Sequence, residues 1–321
     1  MKNILVIGAT GQIGMELVPA LRTRYGDTHV IAAIHRKIPA RDFLDAGPYE
    51  KLDVRDGETL LAIVEKYRVD TIYHMAALLS GVSEERPRSA WDLNMNGLLT
   101  VLQLAREKGC GVFFPSSIGA FGPSTPKENT PQLTIMRPNT MYGVTKVAGE
   151  LLCDYYHHRF GVDTRGVRYP GLISHKSPPG GGTTDYAVEI FYGAMREKHY
   201  TCPLRPDTCL DMMYMEDALR AAVEIMEADP NRLVFRNSYN VTAMSFSPAR
   251  LAAEIRTHIP AFVMDHEIDP VLQAIADSWP DRMDDRAARE HWGWQPQFDL
   301  ARMTEEMLAK LAGRIKGNFY I

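Results

Sequence analysis

Residues 3–14 read NILVIGATGQIG, and the fold class follows from this stretch. Asn3–Ile7 is a short apolar run without alternation, the pattern of a parallel strand buried on both faces. Gly8, Gly11 and Gly14 follow it as G-x-x-G-x-x-G, and a helical stripe of Ile13, Leu17 and Leu21 begins among them. Glycine permits a tight turn, and the positive end of the following helix stabilises a pyrophosphate. A glycine triplet alone is weak evidence. Between a strand and a helix it reads as a dinucleotide-binding turn.

Working outward, strand-like and helix-like segments alternate. Val30–Ile34, Lys51–Val54, Thr71–His74, Gly111–Phe114 and Thr164–Tyr169 read as further strands. Leu60, Leu61, Ile63, Val64 and Tyr67 form a helical stripe, and helices are predicted over Arg88–Lys108 and Pro138–Arg159, the last capped by Asn139 or Thr140. This repetition predicts an α/β fold, a doubly wound parallel sheet with helices on both faces. After Pro170 the texture changes. SPPGGGTT (177–184) is a loop signal, and shorter helices and isolated strands such as Ser238–Val241 follow. We expect a dinucleotide-binding domain over 1–174 and a smaller substrate lobe over 175–321, some of whose strands rejoin the main sheet.

The 321 residues are 45% hydrophobic and 24% charged, ordinary globular values that exclude a disordered or collagen-like chain. Lys plus Arg number 36 and Asp plus Glu 40, a net charge of −4 without a basic run, which argues against nucleic acid or an anionic membrane as partner. No apolar stretch approaches the ~18 residues of a membrane span, and the N-terminus does not read as a signal peptide. Cys110, Cys153, Cys202 and Cys209 form no C-x-x-C pair. They read as reduced thiols of a cytoplasmic protein without a metal site.

Tyr142-Gly-Val-Thr-Lys146 places a phenol and an ammonium at i and i+4, on one helix face. A free tyrosine titrates near ~10, and a nearby ammonium favours its phenolate, so Tyr142 can take a proton from an alcohol as hydride leaves the same carbon. Ser116 and Ser117 end the fifth strand, where ligands bind in such sheets, and a hydroxyl there can hold the reacting oxygen. An acidic residue at the end of the second strand would select NAD. This chain has Ile34, His35, Arg36 and Lys37 there, and Arg36 and Lys37 could meet a ribose 2′-phosphate. Asp53 and Val54, after the third strand, could flank the adenine.

In order along the chain, GATGQIG (8–14), HMAA (74–77), NMNG (94–97), PSS (115–117) and YGVTK (142–146) resemble the extended short-chain dehydrogenase/reductases, a Rossmann-like family. PSSIGAFGP (115–123), TIMRPNTMYGVTKVAGELL (134–152), RYPGLIS (168–174), PGGGTTDYAVEIFY (179–192) and MMYMEDA (212–218) resemble more closely the short-chain-type L-threonine 3-dehydrogenases. That resemblance implies metal-free oxidation of the C3 hydroxyl of L-threonine to 2-amino-3-oxobutanoate, with NAD as acceptor. It implies Tyr142 as base, Lys146 on the nicotinamide ribose and Ser117 on the substrate hydroxyl. Ser80 and Thr184 are expected near the substrate amino and carboxylate groups. Gln12, Ile13, Met75, Ala76, Ala77 and Leu172 are expected along the cofactor. Physically, Thr183, Thr184 and Asp185 open a helix, where they could cap it or offer backbone N–H groups to a carboxylate. Trp279 within SWPDRMDD (278–285) is a further expected substrate wall.

The resemblance also implies a homodimer through the helices around 88–108 and 138–160. Two departures stand out. The family carries Asp where this chain has Ile34, which leaves NADP possible, and Pro where this chain has Asp211. Two other functions are weighed. A nucleotide-sugar epimerase or dehydratase needs cations for a diphosphate, but its arginine position is Leu210 here, with Arg205 nearby. A non-catalytic nucleotide sensor would lack the tyrosine or the lysine, and both are present.

Overall fold

A computed structural model describes residues 1–176 and 182–316. In chain order the strands are β1 (Ile4–Ile7), β2 (Val30–Ile34), β3 (Tyr49–Lys51), β4 (Thr71–His74), β5 (Gly111–Ser117), β6 (Thr164–Tyr169), β7 (Gly171–Ile173), β8 (His199–Cys202), β9 (Leu210–Tyr214), β10 (Tyr239–Asn240), β11 (Met244–Phe246) and β12 (Val263–His266). Seven of them form one parallel sheet in the order β10-β6-β5-β4-β1-β2-β3.

Period-two alternation assigns each strand side chain to one of two cores. Ile4, Val6, Val30, Ala32, Tyr73 and Phe113 pack with Leu17 and Leu21 of the helix Gly14–Tyr25 and with the helix Met215–Glu227. Leu5, Ile7, Ile31, Ala33, Ile72 and Val112 point the other way, onto the helices Gly57–Tyr67, Gly97–Lys108 and Met141–Phe160. Burial on both faces explains why these runs are apolar throughout. The sheet is a doubly wound Rossmann-like fold, with its switch point where β1 meets β4.

The second half of the chain builds its own core around β9 and the helices Tyr186–Arg196, Pro248–His258 and Leu300–Lys316. It also returns to the first. β10 pairs with β6, and Trp292 and Trp294 join the core beneath β1. Two short sheets, β11-β9-β7 and β12-β8, complete this half.

Two expectations need correction. The third strand is Tyr49–Lys51 rather than Lys51–Val54. It is the sheet edge, its side chains are partly exposed, and so it lacks the apolar run that marks the inner strands. The single helix expected over Arg88–Lys108 is three pieces: Pro87–Trp91, a wide π turn Asp92–Asn96, and Gly97–Lys108. The wide turn carries Asn94, whose side chain accepts from Leu78 N at 2.8 Å and donates to Thr145 Oγ1 at 3.1 Å. It thereby ties the loop after β4 to the helix bearing Tyr142 and Lys146. Part of the loop signal at 177–184 lies outside the described residues.

Candidate active site

The glycine turn closes against the switch point. Gly8 has φ +83°, and a Cβ there would lie 2.7 Å from Ala76 N, so the ends of β1 and β4 touch only through glycine. At Gly14 a Cβ would meet the Gly8 carbonyl at 2.3 Å. The turn is therefore wrapped onto the first turn of a 12-residue helix, with Met15 N donating to the Gly11 carbonyl at 3.0 Å and Leu17 N to the Ile13 carbonyl at 2.8 Å. These residues suit a nucleotide diphosphate: a backbone cradle that side chains would fill, with a helix dipole behind it.

Thr140 starts the next critical helix. Its Oγ1 accepts from Gly143 N at 3.1 Å, which identifies it, not Asn139, as the cap. Tyr142 then falls in the first turn and Lys146 one turn later. Lys146 is buried and donates to the Pro115 carbonyl of β5 at 2.7 Å. Its ammonium sits 4.9 Å from the Phe114 ring centroid and 5.4 Å from that of Tyr142. The Ser117 hydroxyl accepts from Gly119 N at 3.1 Å, and it shares the Gly119 flank with the Tyr142 ring: a Cβ on Gly119 would lie 3.2 Å from the ring and 3.5 Å from Ser117 Oγ.

Electrostatics depart from the simple picture in one respect. Burial pushes the Tyr142 phenol up to about 12, opposed by the neighbouring Ser117 hydroxyl. Burial also pulls Lys146 down to about 8, opposed by the charge of Glu150. Where the sequence predicts Lys146 as the leading influence on Tyr142, packing around the phenol outweighs it, because the ammonium is turned to the Pro115 carbonyl.

One cleft gathers most of the expected residues. Gln12, Ile13, Met75, Ala77, Ser80, Ser117, Tyr142, Lys146, Leu172 and Thr184 line it. Gly8, Gly11, Gly14 and Ala76 are not on its wall. His35, Arg36, Asp53 and Val54 lie apart from it. Asp53 is held by Arg55 at 2.6 Å, lies 3.6 Å from His35, and is lowered to about 2, chiefly by Arg55. Val54 is buried against Gly97. Arg36 and Lys37 are exposed, and among the described residues neither has an ion-pair partner.

Ser116 is not a second site hydroxyl. Its Oγ donates to Glu150 at 2.5 Å, beneath the cleft. Asp185 does not cap the helix Tyr186–Arg196 with its side chain; its carboxylate instead accepts from Gly182 N at 2.7 Å. Pro115, Tyr169, Pro170, Gly171 and Thr183 also line the cleft, and Trp279 forms part of its wall. Among the described residues, the buried Thr183 hydroxyl has no hydrogen-bond partner. Thr183 and Trp279 are expected from the sequence, whereas Pro115, Tyr169, Pro170 and Gly171 carry no signal beyond adjacency to a motif. Among the described residues no group of three or more His, Cys, Asp or Glu could hold a metal ion, and no helix is long and apolar enough to cross a membrane.

Comparison with known proteins agrees with this geometry. An uncharacterized epimerase/dehydratase of Staphylococcus haemolyticus (strain JCSC1435) is 56% identical over 308 residues, covering 96% of this chain and 97% of its own. The X-ray structure of L-threonine dehydrogenase from Clostridium difficile superposes with a TM-score of 0.96 at 53% identity, covering 98% of both chains. The holo form of a GalE-like L-threonine dehydrogenase from Cupriavidus necator superposes with a TM-score of 0.93 at 50% identity, covering 96% of this chain and 99% of that one. The sequence pattern of the NAD dependent epimerase/dehydratase family matches residues 4–241, and the chain belongs to that family, the extended short-chain dehydrogenase/reductases.

Proposed function

We propose that the protein oxidises the C3 hydroxyl of L-threonine to 2-amino-3-oxobutanoate. The observation that carries this is the Ser117–Tyr142–Lys146 grouping in a cleft beside the glycine turn. Similarity at about 50% identity to proteins described as L-threonine dehydrogenases supports the choice of substrate. When bound, a nicotinamide dinucleotide supplies the hydride acceptor.

Gly8–Gly14 and the helix behind them would hold its diphosphate, and Lys146 its nicotinamide ribose. Ser117 holds the substrate hydroxyl, and Tyr142 removes its proton. A phenol titrating near 12 is almost wholly protonated at neutral pH, so its use as a base depends on Ser117 and on positive charge added nearby to favour the phenolate. Ser80 and Thr184, with the unpartnered Thr183 hydroxyl, provide polar groups for the ammonium and carboxylate of an amino acid.

A sugar-nucleotide substrate would need cations for its diphosphate in the second half of the chain. Leu210 is fully buried, and Arg205 is already paired with Asp277 at 2.8 Å, so neither serves. We also propose a cytoplasmic homodimer. The four cysteines stand as free thiols, and Trp91, Leu99, Leu151 and Tyr155 are exposed on the two helical regions that would pair. A solution mass near 36.1 kDa rather than its double would remove the dimer.

Tyr142→Phe should keep dinucleotide binding and lower kcat by ~10²–10⁴. Turnover at the wild-type rate in steady-state kinetics would remove Tyr142 as the base. For the cofactor, the lone cations Arg36 and Lys37 beside Ile34 favour acceptance of a 2′-phosphate as well as NAD. Ile34→Asp restores the acidic residue the resemblance expects at the end of β2, in place of a side chain buried with the first core. It should shift the ratio of kcat/KM for NAD over NADP at least about tenfold toward NAD, because like charges repel. An unchanged ratio would place cofactor selection elsewhere.

A further inference from the structure

Asp211 is a carboxylate in the middle of an apolar strand, fully buried between Leu210 and Met212. Burying a charge is costly unless it is well bonded. Its oxygens accept from the Thr242 hydroxyl at 2.5 Å and from the Met283 backbone N–H at 2.8 Å. Ser245, paired with Asp211 across β9 and β11, donates to the Asp281 carbonyl at 2.5 Å. Neighbouring positions of one strand pair thus grip two alternate residues of the 281–283 crossing. From the opposite side Thr130 N donates to the Arg282 carbonyl, and Asp284 N to the Thr130 carbonyl, both at 2.9 Å. Trp279 lies two residues before this clamp and forms a wall of the cleft.

We infer that Asp211 is a positioning residue for substrate: by holding Met283 it fixes the 278–285 segment, and so keeps Trp279 against the cleft that contains Ser117 and Tyr142. This rests on the cleft being the substrate site. Both groups bonded to Asp211 are donors, so the ionised carboxylate grips best. Burial, with a smaller contribution from the nearby Asp285, raises its pKa, while the Thr242 and Met283 hydrogen bonds and the Arg282 charge lower it, and the balance lies at about 7. The clamp therefore weakens as pH falls through neutrality. Stability runs the opposite way. A carboxyl whose folded pKa lies above its unfolded value of 3.8 costs stability progressively as pH rises from 3.8, fully above about 7.

The test compares wild type, Asp211→Ala, Asp211→Asn and Ser245→Ala. It combines threonine kinetics with hydrogen exchange of peptides covering 278–285. Asp211→Ala should raise KM for threonine about tenfold, the worth of a lost charge-assisted bond, with kcat and cofactor KM within about twofold. Exchange should quicken at 281–285 while β1 to β6 stay protected. Asp211→Asn keeps an acceptor for Met283, so its KM should stay near wild type at pH 8 and lose the rise that wild type shows toward pH 6. It should also melt higher than wild type above pH 7, with little difference near pH 4. Should Asp211→Ala fail to fold, Ser245→Ala, which removes the adjoining bond, must show the same KM shift on a smaller scale. Unchanged KM with unchanged exchange, or an acid-side KM rise that survives in Asp211→Asn, overturns the inference. Wild type inactive on threonine would overturn the proposed function, while exchange at 281–285 in Asp211→Ala would still read the clamp.

Discussion

Two opposite charges are buried together beneath the cleft, and the site is built on them. Glu150, on the helix that carries Tyr142 and Lys146, meets Arg168 of β6 at 2.7 Å, with both side chains essentially sealed from solvent. Glu150 also accepts from Ser116 of β5, and Arg168 donates to the Gln132 carbonyl at 3.0 Å and to Asn240 of β10 at 2.9 Å. Removing one member of such a pair strands the other and costs ~3–5 kcal/mol. The network fixes one helix to three strands and leaves little freedom in the distance between Ser117 and Tyr142. Glu150 stands one turn beyond Lys146, so the same carboxylate helps keep that amine charged.

The sheet turns this rigidity into a site. Gly8 brings the ends of β1 and β4 into contact, which opens the switch-point crevice directly above the glycine turn. Asn94, displaced inward by the π turn, pins the loop that leads to Ser80. β6 runs into β7 through Pro170, and this places Leu172 on the wall of the same cleft. Each wall is set by a polar contact made behind it, and the 278–285 segment, gripped through Asp211 and Ser245, follows the same rule.

What could be read from sequence follows from burial. The inner strands Val30–Ile34, Thr71–His74 and Thr164–Tyr169 appear in the chain as written, because both of their faces are covered. The edge strand Tyr49–Lys51 is shifted from its expected place, because partly exposed side chains carry no such signal. A π turn is invisible to a 3.6-residue period, so the break at Asp92–Asn96 needed coordinates. In the site, motif residues such as Ser117, Tyr142, Lys146 and Thr184 converge. Their supports do not advertise themselves: Glu150 reads as one more helix glutamate, Ser116 as a twin of Ser117, and Asp211 as an oddity in an apolar strand.

Family membership narrows the chemistry to dinucleotide-linked reactions at a carbinol carbon without choosing among them. The choice of threonine rests on a cleft with polar groups for an amino acid, on similarity to proteins described as L-threonine dehydrogenases, and on neither Leu210 nor Arg205 serving a sugar diphosphate. The most direct measurement follows absorbance at 340 nm with purified protein, L-threonine, and NAD or NADP in parallel, with UDP-galactose as the comparison substrate. Threonine-dependent reduction, absent with UDP-galactose, is the predicted result. No reduction of either cofactor with threonine, together with conversion of the sugar nucleotide, would contradict it.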